Sequence, residues 1–461
     1  MKKIILFGLL VCGANLNPLA TMMNHRTTSA SVLQYKQMDY SAKAFSLEIQ
    51  AWASGMFDPE HTMANLGING QDYMVLSQDG NGNINPENIL LGVAQLTPNY
   101  SSMIVLHPEL MLYGELFHVY KQFEYVFFDV RTALLTCRTV INIEEIGGGN
   151  GGMSDLSATP LYNAYDAFTQ SDWQYGKFGQ SNKMTGFDNI QVLLGSSTDM
   201  QSFSSDDCKS FIAGFALMEI PTGMGTTAEW LFEPQVGTNH WAFGFGGDCM
   251  VVASNGFSLL AGGNYRYILK NWETRSFDLT ANGQWSRYLA LDNFQGLQEQ
   301  SEGAVSGLPG INVFTQDALI QGRNQVNVYA RLKKDFEHCL FELSYNYFHT
   351  QKETINEILP ISSNYGIYNI ASGGGVSTAH LATIAQRDTA LDNPPVQLVT
   401  SDLNLTSGAA GQWSSSTIAA RLQRLEEHCT YGIGGSVDLA HTSQAISTWS
   451  VWLNFEGLFP N

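Results

Sequence analysis

Residues 445–461 read Ala-Ile-Ser-Thr-Trp-Ser-Val-Trp-Leu-Asn-Phe-Glu-Gly-Leu-Phe-Pro-Asn. Trp449, Val451, Leu453, Phe455, Gly457 and Phe459 share one parity, and Thr448, Ser450, Asn454 and Glu456 take the other. Trp452 breaks the rule. A period of two predicts a strand with one oily and one wetter face. A strand that closes a membrane β-barrel has this pattern, with its outer face in lipid and its aromatic end at the interface.

Bulk composition agrees. Charged residues are 14 % of the 461, aromatic residues 11 %, and there are 44 glycines. Mean hydropathy is near zero. That combination fits alternating faces better than membrane helices. The net charge of −19 argues against nucleic acid and against a basic membrane-surface binder. Lys2 and Lys3 precede the apolar run 4–11, which predicts a secretory signal peptide over residues 1–20. Residues 21–44 are then expected to be a periplasmic lead-in and 45–461 the barrel. An exported chain without an apolar helix-length segment is expected in the outer membrane, with a secreted soluble β protein as the alternative.

The first strand is predicted over 45–53, where Phe45, Leu47, Ile49, Ala51 and Ala53 alternate with Ser46, Glu48, Gln50 and Trp52. Further strands are expected at 95–107, 109–121, 123–144, 186–195, 209–220, 241–251, 257–269, 275–287, 326–332, 341–347, 416–423 and 431–440, with the terminal one last. The parity around Ala133-Leu134-Leu135 predicts a β-bulge or a misplaced boundary. The sum is about 14 strands, within a range of 12–16, in an all-β antiparallel transmembrane barrel. Long external loops are expected near 54–97, 288–322 and 350–415. On this count the connections 144–186 and 221–239 fall on the periplasmic side, against the usual asymmetry.

Predicted inward positions are Glu48, Asp129, Arg131, Asp248, Arg266, Asp278, Arg331, Glu342, Arg421 and Asp438. They form either a charged pore lining or an ion-pair network filling a narrow barrel. Arg331-x₅-Glu337-His338-Cys339 and Arg421-x₅-Glu427-His428-Cys429 repeat one turn pattern, better read as duplicated hairpins than as a zinc site. Cys208 and Cys249 are the better disulfide candidates. Residues 77–88 resemble the front of an EF-hand loop, but Ser77 and Asn88 stand where carboxylates belong. No metal site, cofactor or catalytic motif is expected, and the chain reads as a non-enzyme.

Gly186-x-Asp188 with Gly195, then Ile220-Pro-Thr-Gly223, then Val236-Gly237 ahead of an alternating strand, form a further series. In this order they resemble Gram-negative outer-membrane channel proteins. That group includes the meta-pathway transporters of phenol-type degradation and the long-chain fatty-acid transporters. The likeness covers about residues 186–290 and the terminal strand, and it lacks the fatty-acid family's N-terminal plug motif. It implies a passive, porin-like channel for small solutes, with outer-membrane lipid and the barrel assembly machinery as partners. A closed structural or surface-interaction barrel is the alternative.

Overall fold

The computed structural model describes residues 44–77, 82–84, 101–146, 153–154, 160–161, 168–179, 181–200, 207–293, 308–361, 365–367, 382–385, 396–442 and 444–460. The expected signal peptide and nearly all of the lead-in lie outside these residues.

Twelve long antiparallel strands form one closed sheet. They are β1 (Ala44–Met56), β2 (Ser101–Gln122), β3 (Val126–Ile146), β4 (Ile190–Asp199), β5 (Cys208–Ile220), β6 (Ala242–Ala253), β7 (Phe257–Ile268), β8 (Asn324–Asp335), β9 (Cys339–Thr350), β10 (Trp413–Leu425), β11 (Cys429–Ala440) and β12 (Thr448–Pro460). Each pairs with its sequence neighbours, and β12 pairs with β1 through thirteen residue pairs, from Ala44↔Pro460 to Met56↔Thr448. Closure leaves no open edge, so the backbone N–H and C=O groups of the wall can be satisfied within the sheet. Two extra strands add to the long-loop ends: Tyr73–Ser77 beside β2 and Asn182–Phe187 beside β3.

The count is twelve rather than fourteen for two reasons. Residues 95–107 and 109–121 belong to one element, β2, which runs through Pro108. Pro108 sits opposite Ile141, whose N–H points away from β2 to the Gly179 carbonyl. The missing proline N–H therefore faces the gap between β1, which ends at Gly55↔Met111, and the extra strand, which starts at Tyr73↔Val105. A proline in mid-strand costs no ladder bond there. The other correction is 275–287, which is not a barrel strand: it holds the end of Asn271–Ser276, the two-residue Asp278–Leu279 and a turn of 3-10 helix.

Removing two strands reverses the direction assigned to those between them. Turns at 123–125, 200–207, 254–256, 336–338 and 426–428 share one end with both strand termini of the sheet. Connections 57–100, 147–189, 221–241, 269–323, 351–412 and 441–447 all fall at the other. The two connections expected to break the asymmetry obey it. β3 keeps its alternation through Ala133, Leu135 and Cys137, all inward, with no shift in its pairing to β2. Its inner face turns apolar at that point, which disguised the parity. The break in the ladder lies on the partner side instead, at Asp188 and Asn189 between Asn182–Phe187 and β4.

The outside of the wall is apolar. One cross-strand row runs Leu453, Ile433, Leu422, Phe341, through the mutually facing pairs of β12, β11, β10 and β9. Leu453 is 61 % exposed, Ile433 56 % and Leu422 51 %. A continuous band of this kind marks a surface that meets lipid. Aromatic residues rim it at both ends: Phe45, Tyr125, Phe257 and Phe336 near the short turns, Tyr113, Trp241, Tyr267 and Trp272 near the long loops. Phe257 and Tyr267 stand ten positions apart on β7. At a rise of ~3.4 Å and a tilt of ~40°, that separates the two rims by roughly 25 Å, the height of a barrel's apolar band.

Leu453→Arg is expected to destabilise the barrel by about 2–4 kcal/mol where the row crosses the bilayer midplane. Urea titration of refolding into phosphatidylcholine vesicles reads this directly.

Candidate functional site

Alternation sends the other parity of every strand inward, and the inside of this barrel is polar and charged. Glu48, Asp129, Arg131, Arg266, Arg331, Glu342 and Arg421 are each no more than 3 % exposed. β1, β2 and β3 lie side by side with Glu48 opposite His118 and His118 opposite Arg131. Their side chains join into a chain. His118 Nδ1 lies 3.4 Å from Glu48 and Nε2 lies 3.1 Å from Asp129. Arg131 clamps Asp129 with two bonds of 2.8 Å, a planar fork on a carboxylate two residues away on the same face. Arg421 reaches Glu48 from β10 at 3.4 Å. Arg331 and Glu342 stand 3.8 Å apart on β8 and β9.

Other inward groups pair locally. Arg266 bonds Glu219, and Gln191 donates to the same carboxylate. Tyr329 donates to Asp248 at 2.6 Å, Thr417 to Asp438 at 2.7 Å and Thr430 to Glu456 at 2.9 Å. Of the ten sequence-predicted lining residues, nine therefore sit on inner faces of barrel strands. Asp278 does not: it lies among the long loops and holds Arg287 through bonds of 2.8 and 2.9 Å. His118, Glu219 and Glu456 were missed. Each stands on the polar parity of its strand, so the alternation that selected Glu48 could have found them.

Trp52 and Trp452 face each other across β1 and β12 and both point inward. This explains the break in the terminal strand's pattern. Gly434 makes room: a Cβ there would lie 2.3 Å from the Trp452 ring. The Arg421 guanidinium stands 5.8 Å from the same ring, within cation–π range.

Above the charged level folded loops pack against the inner face of the barrel. One apolar core joins inner-face residues Leu116, Leu135 and Cys137 to loop residues Met63, Phe168, Trp285 and Phe314. Aromatic rings knit the cap: Phe168 on Phe178 at 4.5 Å, Trp173 on Tyr288 at 5.0 Å, Trp285 on Tyr288 at 5.2 Å. Strands Asn271–Ser276, Thr315–Gln321 and Thr354–Ile358 form a small sheet in it. The regions expected as long external loops near 54–97, 288–322 and 350–415 contain a helix, Pro59–Leu66, and parts of this sheet. Within the cap, His240 Nε2 lies 2.8 Å from Glu273, and Arg275 contacts Glu273 and Glu353.

The disulfide expected between Cys208 and Cys249 does not form; both thiols are free. Cys208 faces Ala253, four residues beyond Cys249. Four residues of strand are about 13 Å, past the roughly 7 Å Cα limit of a disulfide. Cys339 and Cys429 open β9 and β11, on either side of the end of β10. Residues 78–81 and 85–88 of the EF-hand-like stretch lie outside the described residues; Ser77 and Ile84 are joined by a backbone bond of 2.9 Å.

A closed antiparallel sheet with an apolar exterior and a charged interior defines a transmembrane β-barrel. No family model and no curated protein matches the chain. Solved structures with a similar course do. An outer-membrane channel from Pseudomonas putida F1 has a TM-score of 0.39 and 7 % identity, covering 92 % of this chain and 100 % of that one. The transport unit of the autotransporter AIDA-I from Escherichia coli scores 0.29 at 9 % identity, covering 94 % and 96 %. The toluene transporter TbuX of Ralstonia pickettii scores 0.30 at 9 % identity, covering 91 % and 90 %. Scores this low carry no argument about what the chain does; its class rests on its own pairing and surfaces.

The cap has a pH signature. Burial pushes Glu273 up, but Arg275 and His240 outweigh it and hold the carboxyl at about 2, below its usual 4.5. Burial pushes His240 down, but its hydrogen bond and charge interaction with Glu273 leave it raised above 6.5. The depressed Glu273 stabilises fully above 4.5 and loses that as pH falls toward 2. The raised His240 stabilises fully below 6.5 and loses that as pH rises through its folded value. Hydrogen exchange at residues 240–276 is therefore expected to be slowest, after correction for intrinsic rate, between pH 4.5 and 6.5. His240→Gln removes the alkaline loss. Independently, Gly434→Val is expected to destabilise the barrel by about 1–3 kcal/mol through the clash with Trp452, read by heat-modifiability on gels.

Proposed function

We propose that the protein is a Gram-negative outer-membrane β-barrel that passes small solutes passively, with the charged lumen as its constriction and the folded loops as its outer gate. The reading is of a non-enzymatic protein. It rests on one observation: the barrel's inner wall is lined with polar and ionic groups while its outer wall is apolar.

The lining also has a sign. Inward on the barrel strands are seven buried carboxylates (Glu48, Asp129, Glu219, Asp248, Glu342, Asp438, Glu456) and four buried arginines (Arg131, Arg266, Arg331, Arg421). Such an excess favours cations over anions in transit.

A second reading has its own support. The arginines and carboxylates of the belt are almost wholly buried, as in a closed structural or surface-interaction barrel. Planar-bilayer recording separates the two. The channel reading expects discrete conductance steps with a cation preference. It also expects Arg421→Ala, which opens the contact to Glu48, to raise conductance at least twofold and to strengthen that preference. Silence from both proteins, each shown to be folded by heat-modifiability, would establish the closed barrel.

A further inference from the structure

One pairing on the outer wall sets two like charges against each other. Arg138 of β3 stands directly opposite Lys183 of the extra strand Asn182–Phe187. Arg138 shares the outward parity of Val126, Phe128 and Leu134, and both cations are exposed. Facing positions on a ladder bring Cβ atoms to about 5 Å, where like charges destabilise the pair. The chain has 42 acidic and 23 basic residues, so a carboxylate partner would be easily supplied. None is. Arg138 Nε donates to the Ser181 hydroxyl at 3.0 Å, and Lys183 Nζ stands 5.8 Å from the centre of the Tyr113 ring. Among the described residues neither cation lies in an ion pair, and both Nη groups of Arg138 are left to donate elsewhere.

The acidic groups on this face are engaged or distant. Glu109, opposite Val140, accepts from Asn142 at 2.9 Å. Glu144 lies 3.3 Å from His107. Glu115, opposite Leu134, is four residues of strand away from the Arg138 level, about 13 Å. The height of the pair also matters. Tyr113 belongs to the aromatic rim at the long-loop end and faces Thr136. Arg138 is two residues further out. At ~3.4 Å per residue and a tilt of ~40°, it lies about 5 Å beyond the rim, inside a headgroup layer roughly 5–7 Å thick. The extra strand is fixed there by the register Leu134↔Phe187 to Thr139↔Asn182 and by a bond of 2.8 Å between the Thr136 and Thr185 hydroxyls.

We propose that Arg138 and Lys183 hold the phosphate of an anionic lipid headgroup in the leaflet at the long-loop end, and that a phosphomonoester is the preferred form. A monoester carries about −1.5 to −2 charge at neutral pH, which matches two cations. The guanidinium supplies a planar fork for two phosphate oxygens, and the ammonium a compact charge beside it. The acyl chains run down the apolar wall past Tyr113. The bound anion then removes the repulsion between the two cations. This site is on the outside of the barrel and does not depend on whether the lumen conducts.

The test is native mass spectrometry of the full chain in detergent, titrated with phosphatidic acid, phosphatidylglycerol and phosphatidylcholine of identical acyl chains. Wild-type protein should bind phosphatidic acid roughly tenfold more tightly than phosphatidylcholine, with phosphatidylglycerol between them. The double variant Arg138→Gln/Lys183→Gln should lose most of that preference. Lys333→Gln/Lys334→Gln, which removes the same charge at the opposite rim, should keep it. Heat-modifiability on gels shows that each variant is folded, and if the Arg138 variant is not, the wild-type lipid order decides. Excess inorganic phosphate should leave the preference in place, since the lipid body is part of the ligand. Equal binding of the three lipids, an unchanged preference in the folded Arg138/Lys183 variant, an equal loss in both double variants, or displacement by inorganic phosphate would each overturn the proposal.

Discussion

The pairing of β12 with β1 is the contact on which the rest depends. In lipid, a backbone N–H or C=O without a partner costs several kcal/mol, so a sheet survives there only if it closes. Thirteen residue pairs between the first and last strands achieve that. Closure also divides space. Because successive side chains alternate, one parity of all twelve strands goes to the bilayer and the other to a lumen of fixed circumference. What the lumen must hold then follows from the strand count.

Twelve strands enclose little room, between the side-chain-filled small barrels and the open porins. Ionic side chains on facing walls meet there, as Arg421 of β10 and Glu48 of β1 do. A lone buried charge would be prohibitive, and these charges are tolerable because each is held by an opposite one or by a hydrogen bond. Glycines permit the bulky members: Gly434 leaves the space that Trp452 fills. The charged layer inside the barrel is thus held together by pairing among inward side chains of different strands.

The long-loop end solves a different problem. β2 and β3, at 22 and 21 residues, outrun their neighbours and turn apolar on the inside. That face must be covered, and the loops cover it with an aromatic core continuous with the barrel interior.

Alternation carried the barrel class, the lipid face of 449–459 and the inward side of Glu48, Arg131, Arg266, Arg331 and Arg421, because a period of two depends only on local geometry. It found most of the lumen for the same reason. It failed where locality fails. Pro108 looks like a terminator until one knows that it pairs with β3 on one side and turns its N–H side to the gap between β1 and the extra strand. Residues 275–287 alternate well enough to pass for a wall strand, yet they fold into the cap. The joining of Glu48 to His118, Asp129 and Arg421 spans 373 positions at its widest. Which residues face inward was written in the sequence; which of them meet was decided only by closure and by the folding of the loops, since both depend on contacts between segments that no local pattern records.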